Sequence, residues 1–148
     1  MVPQISNAKK VLPIFQSSTT AGATASGNVD RLGYDFVTID VLLPTADAVS
    51  NKPTVLKLSE SDDTVVTNFA NVSGFVGGTD FTIPNAITAA TSISQPYATL
   101  NVDCRGRKRY LKLSVSPQTT QVVTAVAHLT RAKVMPSTSS QATVVVNG

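Results

Sequence analysis

At 148 residues the chain has the length of one ordinary domain, enough to bury a core without disulfide support. Only 14% of residues are charged, and twelve Lys and Arg against nine Asp and Glu leave a net +3, too small an excess to indicate a nucleic-acid binder from total charge. Twenty Val and nineteen Thr favour sheet, because β-branched side chains suit a pleated surface, and the single Cys104 excludes an internal disulfide. No cationic start leads into an apolar run and no stretch approaches a membrane span, so the expectation is a protein made in the cytoplasm, with no membrane partner.

Residues 1–13 hold Pro3, Pro13 and the pair Lys9-Lys10 with little apolar periodicity, and read as an N-terminal arm. Pro13 fixes its own φ and restricts Leu12, which argues against a regular helix there. Residues 19–29, TTAGATASGNV, are small and polar and suit an edge strand, with Gly22 and Gly27 marking bends or a bulge. Residues 35–43 form a core strand: Val37, Ile39, Val41 and Leu43 share one face, Thr38 and Asp40 the other. The preceding turn uses Gly33 for backbone freedom and Tyr34 as an amphipathic ring. After Pro44 and a polar loop, residues 54–59 give a short strand with Leu56 and Leu58 inward, followed by the acidic turn Glu60-Ser61-Asp62-Asp63.

Val65, Val66, Phe69, Val72 and Phe75 are irregularly spaced and punctuated by Gly74, Gly77 and Gly78, consistent with one or two short strands or a packed loop. Phe81 and Ile83 suggest another short strand before Pro84, and residues 85–94 a helical turn that their Thr and Ser content keeps short. Residues 100–115, LNVDCRGRKRYLKLSV, hold the densest chemistry. Leu100 and Val102 share a face, as do Leu111, Leu113 and Val115, and the spacing reads as a hairpin in which Gly106 takes the positive φ of a tight basic turn. Residues 121–133 alternate again, with Val123, Ala125, Ala127 and Leu129 on one face and the other face also fairly apolar, as in an interior strand. The tail ends in Val144-Val145-Val146, with nothing local to pair with.

Strands at short intervals without convincing helices predict an all-β fold: an antiparallel β-sandwich of jelly-roll or related Greek-key topology, in preference to a barrel. The expected organisation is a single domain over residues 1–148, with a core at about 14–135, an N-terminal arm at 1–13 and a C-terminal arm at 136–148. Either arm could add a strand to a neighbouring copy or lie along it.

Candidate chemistry is sparse. His128, the only histidine, lies mid-strand and suits a structural or interface role better than a general base. Arg105 could activate the Cys104 thiol, but a lone thiol at a strand end reads as an ordinary buried residue. There is no nucleophile elbow, no Cys/His cluster and no phosphate-cradling glycine motif. Glu60, Asp62 and Asp63 are oxygen donors without the spacing of a calcium loop. The expectation is a non-enzyme with no catalytic, cofactor or metal residues. The interaction candidates are Arg105, Arg107, Lys108 and Arg109 in the basic turn, Lys9 and Lys10 in the first arm, and Val144, Val145 and Val146 in the second. Only Tyr97 and Tyr110 lie near the basic turn in sequence, too little stacking surface for nucleic acid. Its cations are expected to pair with carboxylates such as Asp35, Asp62, Asp63 or Asp103, within the subunit or across to another.

Three segments, VDRLGYDFVTID at 29–40, LKLSESDD at 56–63 and DCRGRKRYL at 103–111, together resemble small virion proteins of tailed bacteriophages, in particular capsid decoration or cement proteins. The resemblance spans roughly residues 29–136. It implies a non-enzymatic β-rich virion module, often a homotrimer, that sits on the capsid surface and clamps neighbouring copies of the major capsid protein against internal DNA pressure. Composition fits two alternatives, a tail or head-tail connector component and a carbohydrate-binding β-sandwich. The absence of Trp and the presence of only three Tyr count against the carbohydrate reading.

Overall fold

The computed structural model describes residues 10–46, 48–88, 96–130 and 145–147. They form nine strands: β1 (Lys10–Thr19), β2 (Ala25–Asp30), β3 (Phe36–Leu42), β4 (Val55–Ser61), β5 (Ala70–Val76), β6 (Ala98–Asp103), β7 (Tyr110–Ser116), β8 (Gln121–Thr130) and β9 (Val145–Asn147). Among the described residues the only helical element is one 3-10 turn, Val66–Asn68.

The pairing follows one rule. β1 pairs with β8, β2 with β7, β3 with β6 and β4 with β5, all antiparallel. The chain therefore folds as one long hairpin, with its tip between β4 and β5, and successive rungs fall alternately into two sheets. Their strand orders are β1-β8-β3-β6-β9 and β2-β7-β4-β5. That is the arrangement of an eight-stranded jelly roll, two Greek keys wrapped into a sandwich, and it bears out the fold expected from the sequence. β9 extends the first sheet by pairing in parallel with β6.

The core lies between the inner faces. Val37, Ile39, Val41, Leu100, Val102, Val123, Ala125, Ala127 and Leu129 from one sheet meet Leu56, Leu58, Val72, Phe75, Leu111, Leu113 and Val115 from the other, each at most 1% exposed. At about 1.5–3 kcal/mol for each large aliphatic or aromatic side chain buried, this layer is the main source of stability.

β6 and β7 are where the sequence places strands, but they lie in different sheets and do not pair. The expected hairpin is instead an arch from one sheet to the other. Inward-facing Leu100 and Val102 on one side and Leu111, Leu113 and Val115 on the other satisfy both geometries equally, which is why the pattern misleads. Gly106 is not among the glycines with positive φ; Gly33, in the loop before β3, is, at 84°.

Two edges explain sequence features with little side-chain bulk. β1 and β2 close the sandwich at one seam. A Cβ on Gly27 would lie 2.8 Å from Ile14 Cγ2 and 2.9 Å from its carbonyl oxygen, so the thin TTAGATASGNV stretch fits where two backbones nearly touch. Pro13 sits on edge strand β1 beside a register shift between Pro13 and Phe15, as a residue without an N–H requires. Of the N-terminal arm expected over 1–13, Lys10 to Pro13 instead pair with β8, and residues 1–9 lie outside the described residues. Likewise Val145 and Val146, expected to have no local partner, lie beside Thr99 and Leu100 of β6. Of the proposed helical turn, residues 85–88 are not helical, and the remainder lies outside the described residues.

Candidate functional site: the charged end of the sandwich

Because strands alternate in direction, the loops fall at two ends. The β2–β3, β4–β5 and β6–β7 loops share one end, where β1 begins and β8 finishes. This end holds Asp30, Asp35, Glu60, Asp62, Asp63 and Asp103, six of the nine acidic residues of the chain, together with Arg31, Arg105, Arg107, Lys108 and Arg109.

Three of these aspartates begin a turn by the same device, a carboxylate accepting the backbone N–H two residues on, which is what favours Asp in such positions. Asp30 accepts from Leu32 at 3.0 Å, Asp63 from Val65 at 2.9 Å and Asp103 from Arg105 at 3.0 Å. Two also serve as ion-pair partners. Arg109 Nη2 lies 2.7 Å from Asp30 Oδ2, with Nε donating to Oδ1 at 3.1 Å, a bidentate clasp between the residue preceding β7 and the end of β2. The Arg105 guanidinium clasps Asp103 through Nε and Nη2 and stacks over Phe36 at 5.3 Å. Glu60 receives the Lys108 backbone N–H at 3.1 Å and lies 3.9 Å from Arg107 Nη1. Asp62 accepts the Arg109 backbone N–H at 3.4 Å.

Arg31 holds the arch from beneath. Its guanidinium donates to the carbonyls of Arg107 and Lys108, the latter at 2.9 Å, and its backbone N–H donates to Arg109 O at 3.1 Å. Cys104 N donates to Asp35 O at 2.8 Å, completing the link between the β2–β3 and β6–β7 loops. The electrostatics follow the geometry. Hydrogen bonds from Arg105 hold the Asp103 carboxyl down at about 2. The Asn68 amide, followed by the Val65 N–H, lowers that of Asp63. Hydrogen bonds to Asp103 and Asp30 raise Arg105 and Arg109 further.

All four cations expected in the basic turn thus meet at this end, and three of them are paired within the chain. Asp103 is a partner as expected, while Asp30 and Glu60 take roles that linear proximity did not suggest. Arg31 could not be foreseen as a brace, since its acceptors lie 76 and 77 residues away. Lys10 starts β1, Val145 and Val146 belong to β9, and Lys9 and Val144 lie outside the described residues.

The other chemistry-bearing groups are committed elsewhere. Cys104 is buried, and burial pushes its thiol up to about 12 despite the nearby Arg31; a thiol so held is a poor nucleophile at neutral pH. His128 sits on the outer face of the first sheet with Nε2 3.3 Å from Asp40 Oδ2, while Thr99 donates to the other Asp40 oxygen at 2.6 Å. His128 Nδ1 is buried without a partner. Among the described residues no three His, Cys, Asp or Glu side chains are placed to hold a metal ion, and no helix is long and apolar enough to cross a membrane.

The opposite end carries an open groove of about 600 Å³ between the β3–β4, β5–β6 and β7–β8 loops, lined by residues including Lys52, Asp80, Phe81 and Gln118. Its β5–β6 side is pinned by Asp80, whose Oδ2 accepts the Gly74 and Val76 N–H groups at 2.8 and 2.9 Å. Tyr97 anchors the return of the same loop by donating its hydroxyl to Pro84 O. No protein-family model matches the sequence, and no curated protein matches it significantly.

Proposed function

We propose that the protein is a structural module of a bacteriophage virion, a decoration protein that binds the outside of the shell and bridges neighbouring copies of the major capsid protein. The observation that carries this reading is the charged end: a rigid jelly roll, an architecture shared by viral capsid and lectin domains, whose first and last core strands both open at the end where the arginine-rich loop is held. The backbone enters at Lys10 and leaves at Thr130 on this same end, so contacts of the adjoining chain with a neighbour would add to those of the arginine-rich loop. Neither His128, tied to Asp40, nor the buried Cys104 offers a mobile acid, base or nucleophile.

The test is mass spectrometry of purified virions, followed by titration of the full chain onto particles that lack it. The expected outcome is stoichiometric occupancy and a higher disruption temperature of the particles. Variants lacking residues 1–9, or with residues 131–144 replaced by a Gly/Ser linker that keeps β9, are expected to bind more weakly. Absence of the chain from virions, or undiminished occupancy by both variants, would remove the basis for this assignment. A glycan-binding module is the second reading, favoured by the groove at the far end, where the half-buried Phe81 ring lies beside Lys52 and Asp80. A glycan array with the intact protein decides that reading, and loss of a signal in Phe81→Ala would place the sugar there.

A further inference from the structure

Three of the six large hydrophobic side chains that stand exposed among the described residues lie at the charged end: Leu32 at 64%, Val65 at 53% and Val66 at 74%. Leu32 follows β2 and the two valines follow β4, so they flank β7, which runs between those strands. Two strand spacings, roughly 10 Å, separate the two groups. Their exposure is built into the loops. Leu32 N is held by Asp30 and Val65 N by Asp63, and the 3-10 turn carrying Val66 is closed by Asn68 N donating to Val65 O at 3.0 Å and by the Asn68 amide on Asp63 at 2.8 Å. Side chains presented on such a frame lose little further freedom on being covered.

The charges between them select the partner. Among the described side chains the five cations Arg31, Arg105, Arg107, Lys108 and Arg109 face six anions at this end, and Arg105, Arg107 and Arg109 are already paired. A polyanion would find little net field there. What remains unpaired has both signs. Among the described residues the exposed Lys108 ammonium forms no ion pair, although its field reaches Asp63, while Asp62 and Asp63 engage N–H and hydroxyl donors. A patch with exposed apolar tips, described charges that nearly cancel and unpaired groups of both signs is complementary to itself. In a closed assembly each copy gives and receives the same contacts, so Lys108 of one can meet Asp62 or Asp63 of the next.

We propose that this end of the sandwich is a self-association surface, on which a second copy of the chain covers Leu32, Val65 and Val66 and brings Lys108 against the acidic turn. This deepens the virion reading, since it supplies the homo-oligomer that such a clamp would use. Sedimentation velocity of the full chain from 5 to 200 µM, about the range in which a modest interface shows, reads the outcome directly. The chain is expected to self-associate, and Leu32→Asp combined with Val66→Asp to remain monomeric with an unchanged thermal midpoint, because both side chains are already exposed. Val49→Asp, at the opposite end and 54% exposed, is expected to associate like the unaltered chain. Lys108→Glu should weaken association at least tenfold.

A monomer throughout this range would overturn the proposal, as would a double variant that associates unchanged. If the unaltered chain is monomeric but the double variant loses its place on particles, the surface serves a different protein: this inference fails and the virion reading stands. Association lost in the double variant of a chain absent from virions sustains the surface and removes the virion reading.

Discussion

Asp103 and Arg105 are two residues apart, and nearly everything about their pair follows from that distance. The carboxylate accepts both the backbone N–H and the guanidinium of the same residue, so its charged form is favoured and its pKa falls from 3.8 to about 2. A depressed acid contributes stability that is present above the ordinary value and is lost as pH falls from about 4 towards 2. Here that contribution is small, because a neighbour two residues away can be met in the unfolded chain as well, and the Arg105 side chain is 64% exposed. The expected result is a carboxyl NMR titration of Asp103 with a midpoint near 2, returning towards 3.8 in Arg105→Ala while the thermal midpoint at neutral pH stays put. A midpoint near 3.8 in the unaltered protein would show that the clasp does not form in solution. Arg31 is the contrasting case. It spans 76 residues of sequence to reach its first carbonyl, so its bonds exist only in the folded chain.

At the scale of elements, the β4–β5 edge shows how a glycine pair sets the path of the long β5–β6 loop. Gly77 N donates to Leu56 O at 2.9 Å and Gly78 N to Phe81 O at 2.8 Å, folding the loop back over the sheet. A Cβ on Gly77 would stand 2.7 Å from the Leu56 carbonyl oxygen and 2.6 Å from Ile83 Cγ1, and the carbonyl belongs to a central strand that cannot retreat. Gly77→Ala is therefore expected to destabilise by about 1–3 kcal/mol, the range for forced overpacking, read by urea denaturation. A loss below about 0.5 kcal/mol would mean that the loop shifts freely. Elements of this kind were the least legible in the sequence. β3, β4, β6, β7 and β8 announced themselves because one face of each is sealed in the core, so their apolar residues must alternate. β2 did so weakly, because Ile14 leaves no room above Gly27 for a side chain. β9 could not be foreseen, since its partner is set by the sheet edge and not by its own three residues. The same limit applied to the site: a dense basic run in 105–109 is visible in one dimension, whereas Asp30, Arg31 and Glu60 join it only after the sandwich closes.

At the scale of the molecule, nested pairing implies an order of assembly. The innermost rung joins Glu60 to Ala70 and the outermost joins Lys10 to Leu129, separations of 10 and 119 residues. Closing the longer loop from the unfolded chain costs about 2 kcal/mol more than closing the shorter one, taking (3/2)RT times the logarithm of their ratio. If β4 and β5 pair first, each later rung closes only the segments added outside the previous one, the longest being the β5–β6 loop. β3 and β6 then supply the opposing sheet, setting Ile39, Val41 and Leu100 against Leu56, Leu58 and Phe75, the first pair of faces able to exclude water. β1 and β8 come last. Chevron analysis of two buried-to-Ala substitutions tests this order. Val72→Ala, in β5, should slow folding with a φ-value of about 0.5 or more, and Val123→Ala, in β8, should mainly speed unfolding with φ near 0. Both side chains are at most 1% exposed, so each change should cost more than about 1 kcal/mol, enough for φ to be meaningful. Equal φ-values at the two positions, or the reverse order, would show that the outer rung closes without waiting for the tip of the hairpin.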